Sequence, residues 1–264
     1  MADELVLSEP RDGVLVLTFN RPDRLNAWTE ELGRRYYDLL EEAEADPDVR
    51  VVVVTGAGRG FCAGADFERL QGLAGGERGG GDRPRDTRTN IFPTTLSKPI
   101  IAAINGPCAG LGMVLALMCD IRFAAEQAKF TTAFAHRGLI AEYGISWVLP
   151  KLVGLGNAMD LLLSSRTFTG DEAARLGLVN RALPGERLMD EVLAYARGLA
   201  ERSSPASMAA IKRQLWGDWD TNLKSSEAEA MRLMVKSFER PDFAEGVKSF
   251  LEKRLPDFPG LPTP

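Results

Sequence analysis

The chain has 264 residues, 45% hydrophobic and 26% charged, with 32 Lys and Arg against 37 Asp and Glu for a net charge of −5. That length allows one large domain or a domain with an extension, and the acidic balance argues against a nucleic-acid or membrane-surface protein, since both favour basic patches. An anionic ligand must then be held by local Lys and Arg groups and by helix ends.

No apolar run approaches the length of a membrane span, and the opening Met-Ala-Asp-Glu lacks the layout of a signal peptide. The three cysteines, Cys62, Cys108 and Cys119, fit reduced, buried thiols better than a disulfide frame or a zinc site. A cytoplasmic protein without a metal centre is expected. The single histidine, His136, would have to carry any histidine-based triad or metal site by itself. A carboxylate is the better candidate for moving protons.

Residues 5–9 and 14–19 are apolar or alternating around Pro10-Arg11-Asp12-Gly13, which predicts a β-hairpin. Thr29, followed by Glu30 and Glu31, caps a predicted helix running to about Ala45. Val51 to Thr55 form a β-branched run bounded by Gly56, a strand buried on both faces. Residues 99–105 and 121–124 read as two more strands. Strands alternating with helices imply an α/β core with largely parallel pairing.

Residues 72–89 are rich in Gly, Arg and Asp with little to bury, so they are expected to form a mobile surface loop or disordered insert, in preference to a lid. Thr169-Gly170-Asp171-Glu172 is a capping box for a short helix that Gly177 ends. Helices are predicted near 186–201, 205–216, 224–239 and 242–253, the last with Pro241 in its first turn. Residues 1–200 are expected to form the core, and 201–264 a helical region for oligomerisation.

Two segments carry the chemistry. Phe61-Cys62-Ala63-Gly64-Ala65-Asp66 and Ile104-Asn105-Gly106-Pro107-Cys108-Ala109-Gly110-Leu111-Gly112 each place a small-residue turn after a buried strand and before a helix. Such a turn leaves N–H groups free at a helix N-terminus, where the dipole favours negative charge. Two converging turns would make a main-chain oxyanion hole.

Together they resemble the signature of the crotonase (enoyl-CoA hydratase/isomerase) superfamily. Arg21-Pro22-Asp23-Arg24-Leu25-Asn26-Ala27, Met118-Cys119-Asp120-Ile121, Leu152-Val153-Gly154, the run from Ala173 to Val179 and the run from Glu245 to Arg254 extend the resemblance over nearly the whole chain. It implies a spiral of ββα units with a helical C-terminal trimerisation region, a trimer or dimer of trimers, and acyl-coenzyme A thioester substrates. It implies no tightly bound cofactor, coenzyme A entering as part of the substrate. The resemblance assigns the oxyanion donors to the N–H groups of Ala63 and Leu111, where many relatives have glycine at the second position. It further implies coenzyme A contacts from Arg24, Leu25, Ala27, Ala65, Asp66, Phe250 and Lys253, the last two reaching a neighbouring subunit's ligand.

Hydratases of this family hold a water between two glutamates, and the aligned positions here are Val114 and Phe134. Neither accepts a proton. A different carboxylate, Glu142 in Gly138-Leu139-Ile140-Ala141-Glu142-Tyr143-Gly144, stands where related enoyl-CoA isomerases carry a single glutamate. Its apolar flanks should raise its pKa toward a value useful for proton shuttling. The expected activity is therefore Δ3 to Δ2 double-bond isomerisation with Glu142 as acid/base. Alternatives are an enoyl-CoA hydratase, an acyl-CoA hydrolase or dehalogenase using this position as nucleophile, and a non-catalytic acyl-CoA binder. Phe134, where the dehalogenases carry Trp, weighs against that enzyme. Tyr143 and Trp147 are expected to be pocket walls, and His136 and Asp120 structural.

Overall fold

The computed structural model describes residues 4–76 and 86–261. The hairpin forms from β1 (Val6–Arg11) and β2 (Val14–Phe19), paired antiparallel from Val6↔Phe19 to Arg11↔Val14. Its two-residue turn is left-handed at Asp12 (φ +50°) and Gly13 (φ +78°), as the twist of such a hairpin demands. Helix α1 (Glu30–Ala45) starts where Thr29 accepts the Leu32 N–H. It lays Leu32, Tyr36, Leu39, Leu40 and Ala43 on the sheet.

Strand β3 (Val51–Gly56) is buried at all six positions, as a strand covered on both faces must be. Helix α2 (Phe67–Ala74) follows, then β4 (Ile100–Ile104), β5 (Cys108–Ala109), α3 (Leu111–Leu117), β6 (Ile121–Ala125) and β7 (Lys129–Thr131). After these come α4 (Ile145–Val153), α5 (Leu155–Ser164), β8 (Phe168–Thr169), α6 (Gly170–Arg175), β9 (Arg181–Leu183) and α7 (Leu188–Arg202). Helices α8 (Pro205–Asp218), α9 (Leu223–Phe238) and α10 (Pro241–Glu252) complete the described chain.

The main sheet has the order β1-β2-β3-β4-β6-β9, parallel throughout except for the hairpin. A smaller sheet of order β5-β7-β8 stands beside it. Strands of two or three residues show no period, which is why β5, β7 and β8 were invisible in the sequence. The expected loop at 72–89 is in part helix, since α2 runs to Ala74; residues 77–85 lie outside the described residues. Past them, the chain is tied to α1: Arg88 pairs with Asp38 (2.6 Å) and Glu41 (2.9 Å), and with its neighbour Asp86 (2.7 Å).

The C-terminal helices dock on the core through Asp120, as its expected structural role requires. Its Oδ2 accepts the Ile100 N–H at 2.8 Å and pairs with Lys212 Nζ at 2.8 Å, while Oδ1 accepts Trp216 Nε1–H at 3.0 Å. Lys212 also donates to the carbonyls of Pro93 and Lys98. Removing one partner leaves a buried ammonium uncompensated. Asp120→Ala should therefore cost about 3–5 kcal/mol in urea unfolding; a loss below about 1 kcal/mol would show that the cluster does not hold α8 to β4.

Candidate active site

In a parallel sheet the crevice for a ligand opens at the carboxyl ends of the strands. Here those ends are the turns after β3 and β4. Asn26 shapes the first. It is fully buried, its Oδ1 accepts the Arg21 N–H at 2.8 Å, and its Nδ2 donates to Ala57 O at 3.0 Å and Gly60 O at 2.7 Å. The second turn is stitched to the first by Phe61 and Cys62 N–H, both donating to Pro107 O at 3.1 Å, and by Ala109 N–H donating to Cys62 O at 3.0 Å. Cys62 and Cys108 face each other as a parallel bridge.

The glycines permit this approach. A Cβ at Gly112 would lie 2.0 Å from Cys62 O, and one at Gly64 would lie 2.8 Å from Ala109 O and 3.7 Å from Leu111 N. The two turns therefore meet at the start of α3, where the first N–H groups have no intrahelical acceptor. Leu111 N–H is one of them and has no partner among the described residues. The Leu111 side chain, 7% exposed, packs into the core, which explains how a branched residue is tolerated at this position.

The other expected donor is corrected. Ala63 N–H is committed to Leu25 O at 3.0 Å. Trp28 pairs with Ala65 as a parallel bridge, donating to Gly64 O at 2.8 Å and accepting from Asp66 N–H at 3.0 Å. That alternation turns the N–H of Ala65 to the opposite side, and it has no acceptor among the described residues. The free pair is Ala65 and Leu111. The sequence held the signal in the bridge partner, Trp28, which has no meaning until the chain is folded.

Glu142 sits two residues before α4's N-cap, Gly144, and its carbonyl accepts the Ile145 N–H at 3.1 Å. Its carboxylate has no hydrogen bond or ion pair among the described residues, and partial burial raises its pKa. Tyr143 (φ +55°) and Gly144 (φ +79°) are both left-handed, a costly geometry for a tyrosine. The segment is flanked by Ile91 and Met118, whose side chains would each lie 3.9 Å from a Cβ at Gly144. Val114 is fully buried and Phe134 is 5% exposed, so both positions of the hydratase glutamates are dry and apolar.

The proposed coenzyme A contacts divide. Arg24 is exposed and pairs with Glu68 at 3.2 Å. Leu25 packs on Gly60, and the buried Ala27 gives its carbonyl to Arg21. Asp66 is 7% exposed and engaged internally: it pairs with Arg21 at 2.9 Å and accepts the Glu68 N–H as it caps α2. Burial works to raise this carboxyl, and the Arg21 and Glu68 bonds outweigh it, holding it below its ordinary value. Phe250, 83% exposed, and Lys253 end α10 beside α8 and α9, and no described contact brings them to the turns. His136 is exposed. The cysteines are free and buried as expected, and burial pushes the Cys62 thiol up to about 12. Trp147 stacks edge-on with Trp219 under the Lys151 ammonium. Among the described residues no three His, Cys, Asp or Glu cluster as metal ligands, and no helix is long and apolar enough to cross a membrane.

A mixed α/β fold with a C-terminal helical region and paired main-chain donors at the sheet's carboxyl edge is that of the crotonase class. The chain belongs to the enoyl-CoA hydratase/isomerase family, whose match covers residues 9–260. It is 35% identical to the 1,2-epoxyphenylacetyl-CoA isomerase of Escherichia coli K12 over 97% of this chain and 99% of that relative. Among solved structures, an enoyl-CoA hydratase from Polaromonas sp. JS666 superposes with a TM-score of 0.87 at 30% identity, covering 96% of this chain and 99% of that one. An enoyl-CoA hydratase from Mycobacterium marinum is 52% identical with a TM-score of 0.70, covering 81% and 98%.

The Gly112 approach gives a test. Gly112→Ala must push the two turns apart, because the clash is with backbone. Turnover on an acyl-CoA substrate should fall about 10²–10³-fold, the worth of one oxyanion donor, with far-UV circular dichroism unchanged. An alanine variant with wild-type turnover would show that the convergence of the turns is not used.

Proposed function

We propose that the protein isomerises the double bond of enoyl-CoA thioesters, Δ3 to Δ2, with Glu142 as the single acid/base and the N–H groups of Ala65 and Leu111 as the oxyanion hole. The observation that carries this reading is the pairing of one unpartnered, partly desolvated carboxylate with apolar residues at both hydratase positions. Glu142 removes a proton from C2 of the 3-enoyl thioester, and the electrons of that C–H bond move onto the thioester oxygen, giving a dienolate held by the two N–H groups. The same carboxyl then returns the proton at C4, so the double bond moves from C3–C4 to C2–C3 and Glu142 ends as the carboxylate it began as.

One carboxylate suffices for this shift, whereas hydration needs a second group to hold and activate water. The E. coli relative named as an isomerase is consistent with proton or bond relocation at this site. The cycle calls for coenzyme A as part of the substrate and for no metal or redox cofactor. We further propose a trimer or dimer of trimers. Met231, Met234, Phe238, Val247 and Phe250 are all more than 40% exposed on α9 and α10, a face that assembly would cover. Light scattering should give a multiple of three, and a monomer at micromolar concentration would overturn it.

Glu142→Gln keeps size and polarity and removes the base. Turnover of 3-enoyl-CoA should fall about 10²–10⁴-fold with acyl-CoA affinity little changed, and wild-type hydration of 2-enoyl-CoA should be poor. Near-full activity in the Gln variant, or efficient hydration, would contradict the mechanism.

The raised pKa gives two further readouts. Activity requires the carboxylate, so kcat should fall as pH drops through a value above the ordinary glutamate pKa of about 4.3. A carboxyl whose pKa is higher folded than unfolded holds its proton more tightly in the fold, so its contribution to stability declines as pH rises through that window. Glu142→Gln should therefore be at least as stable as the wild type at pH 7; a clear loss of thermal stability would mean that the carboxylate is a structural ion.

A further inference from the structure

Gly110 opens onto a sparsely filled space next to the second oxyanion donor. Beyond its chain neighbours, a Cβ there would find two atoms within 4 Å: Thr132 O at 3.7 Å and Arg137 Nη1 at 4.0 Å. Gly110 itself is buried, and the next residue is Leu111, whose N–H is free. The guanidinium of Arg137, an exposed residue, thus stands beside Gly110, the residue before the second donor.

Its backbone is fixed. Arg137 ends a short 3₁₀ turn (Ala135–Arg137) in which its N–H donates to Phe134 O at 2.9 Å, and Leu139 N–H donates to the same carbonyl at 2.9 Å. Phe134 anchors that turn in the core. The guanidinium, in contrast, has no hydrogen bond, ion pair or ring contact among the described residues, whereas Arg21, Arg88 and Arg166 are each paired with carboxylates. Val114 and Phe134, at the positions of the hydratase glutamates, are buried and apolar and bring no counter-charge to the site. Glu142 makes no ion pair with it among the described residues.

Resting on the acyl-CoA reading above, we propose that Arg137 is the specificity determinant of this site and holds a carboxylate at the far end of the acyl group, so that the preferred substrates are coenzyme A monothioesters of short dicarboxylic acids. A guanidinium presents a planar fork of donors that matches a carboxylate bidentately, a geometry that lysine cannot copy. The main-chain N–H pair fixes the thioester at one end, and Arg137 fixes the acid at the other. The carbons between them are then held in register with Glu142.

Calorimetry on the whole protein with adipyl-CoA, hexanoyl-CoA and free coenzyme A tests this. The wild type should bind adipyl-CoA about tenfold or more tightly than hexanoyl-CoA. Arg137→Met should bring that ratio to about one, and Arg137→Lys should leave it between the two. A wild-type ratio of one, or a preference that survives Arg137→Met, would overturn the proposal while leaving the isomerase reading intact. If Arg137→Met weakens all three ligands equally, the cation serves a coenzyme A phosphate and the proposal also fails. Should the wild type bind none of the three, the acyl-CoA reading itself falls, and this inference with it.

Discussion

Everything in this site depends on how closely two backbone turns approach each other. Pro107 O takes two N–H bonds from the first turn, and Cys62 O takes one from the second. Those bonds, with the bridge between Cys62 and Cys108, lock the carboxyl ends of β3 and β4 into one unit. The approach is possible because Gly64 and Gly112 have no side chain at the contact. It leaves the N–H groups of Ala65 and Leu111 without acceptors among the described residues, in a place where an unsatisfied donor would otherwise cost about 1–3 kcal/mol. In the proposed reaction a thioester oxygen gaining negative charge would satisfy both, with the donors aimed before the charge develops.

The remaining features add function to that fixed part. The N-terminal motif is wrapped onto the first turn by Asn26 and by the Arg21–Asp66 pair, so its sequence reads as a ligand-binding motif while much of its chemistry is spent on holding the turn. Glu142, the proposed proton handler, is on a separate segment, ahead of α4, with two consecutive left-handed residues after it. Its carboxylate has no hydrogen bond among the described residues, and partial burial raises its pKa. Val114 and Phe134 keep the region where hydratases hold water dry. The same backbone hole can thus serve a different reaction when the side chains around it change.

The main elements were legible because their signals are local. Thr29 and Thr169 cap α1 and α6 where the sequence put them, and Val51 to Thr55 form the doubly buried strand that their β-branching implied. Pro241 opens α10. The smaller sheet was not legible, because two-residue strands such as β5 and β8 have no periodicity and exist by virtue of partners far away in sequence. The site shows the same division. The unpartnered N–H of Leu111 follows from its place at a helix N-terminus after a strand. Which N–H of the first turn stays free is decided instead by a tertiary contact: the bridge to Trp28 leaves Ala65 N–H without an acceptor among the described residues, while Ala63 N–H bonds to Leu25 O. That Asp66 also caps α2 and pairs with Arg21 could not be read from its neighbours, since nothing near it in sequence reveals Arg21 folding back over it.

The most direct test of this account is a crystal structure of the protein with a saturated acyl-CoA bound. The account predicts the thioester oxygen about 2.7–3.1 Å from the backbone nitrogens of both Ala65 and Leu111, with Ala63 N–H still bonded to Leu25 O. A thioester oxygen bound elsewhere, or one held by Ala63 after that bond has broken, would contradict it.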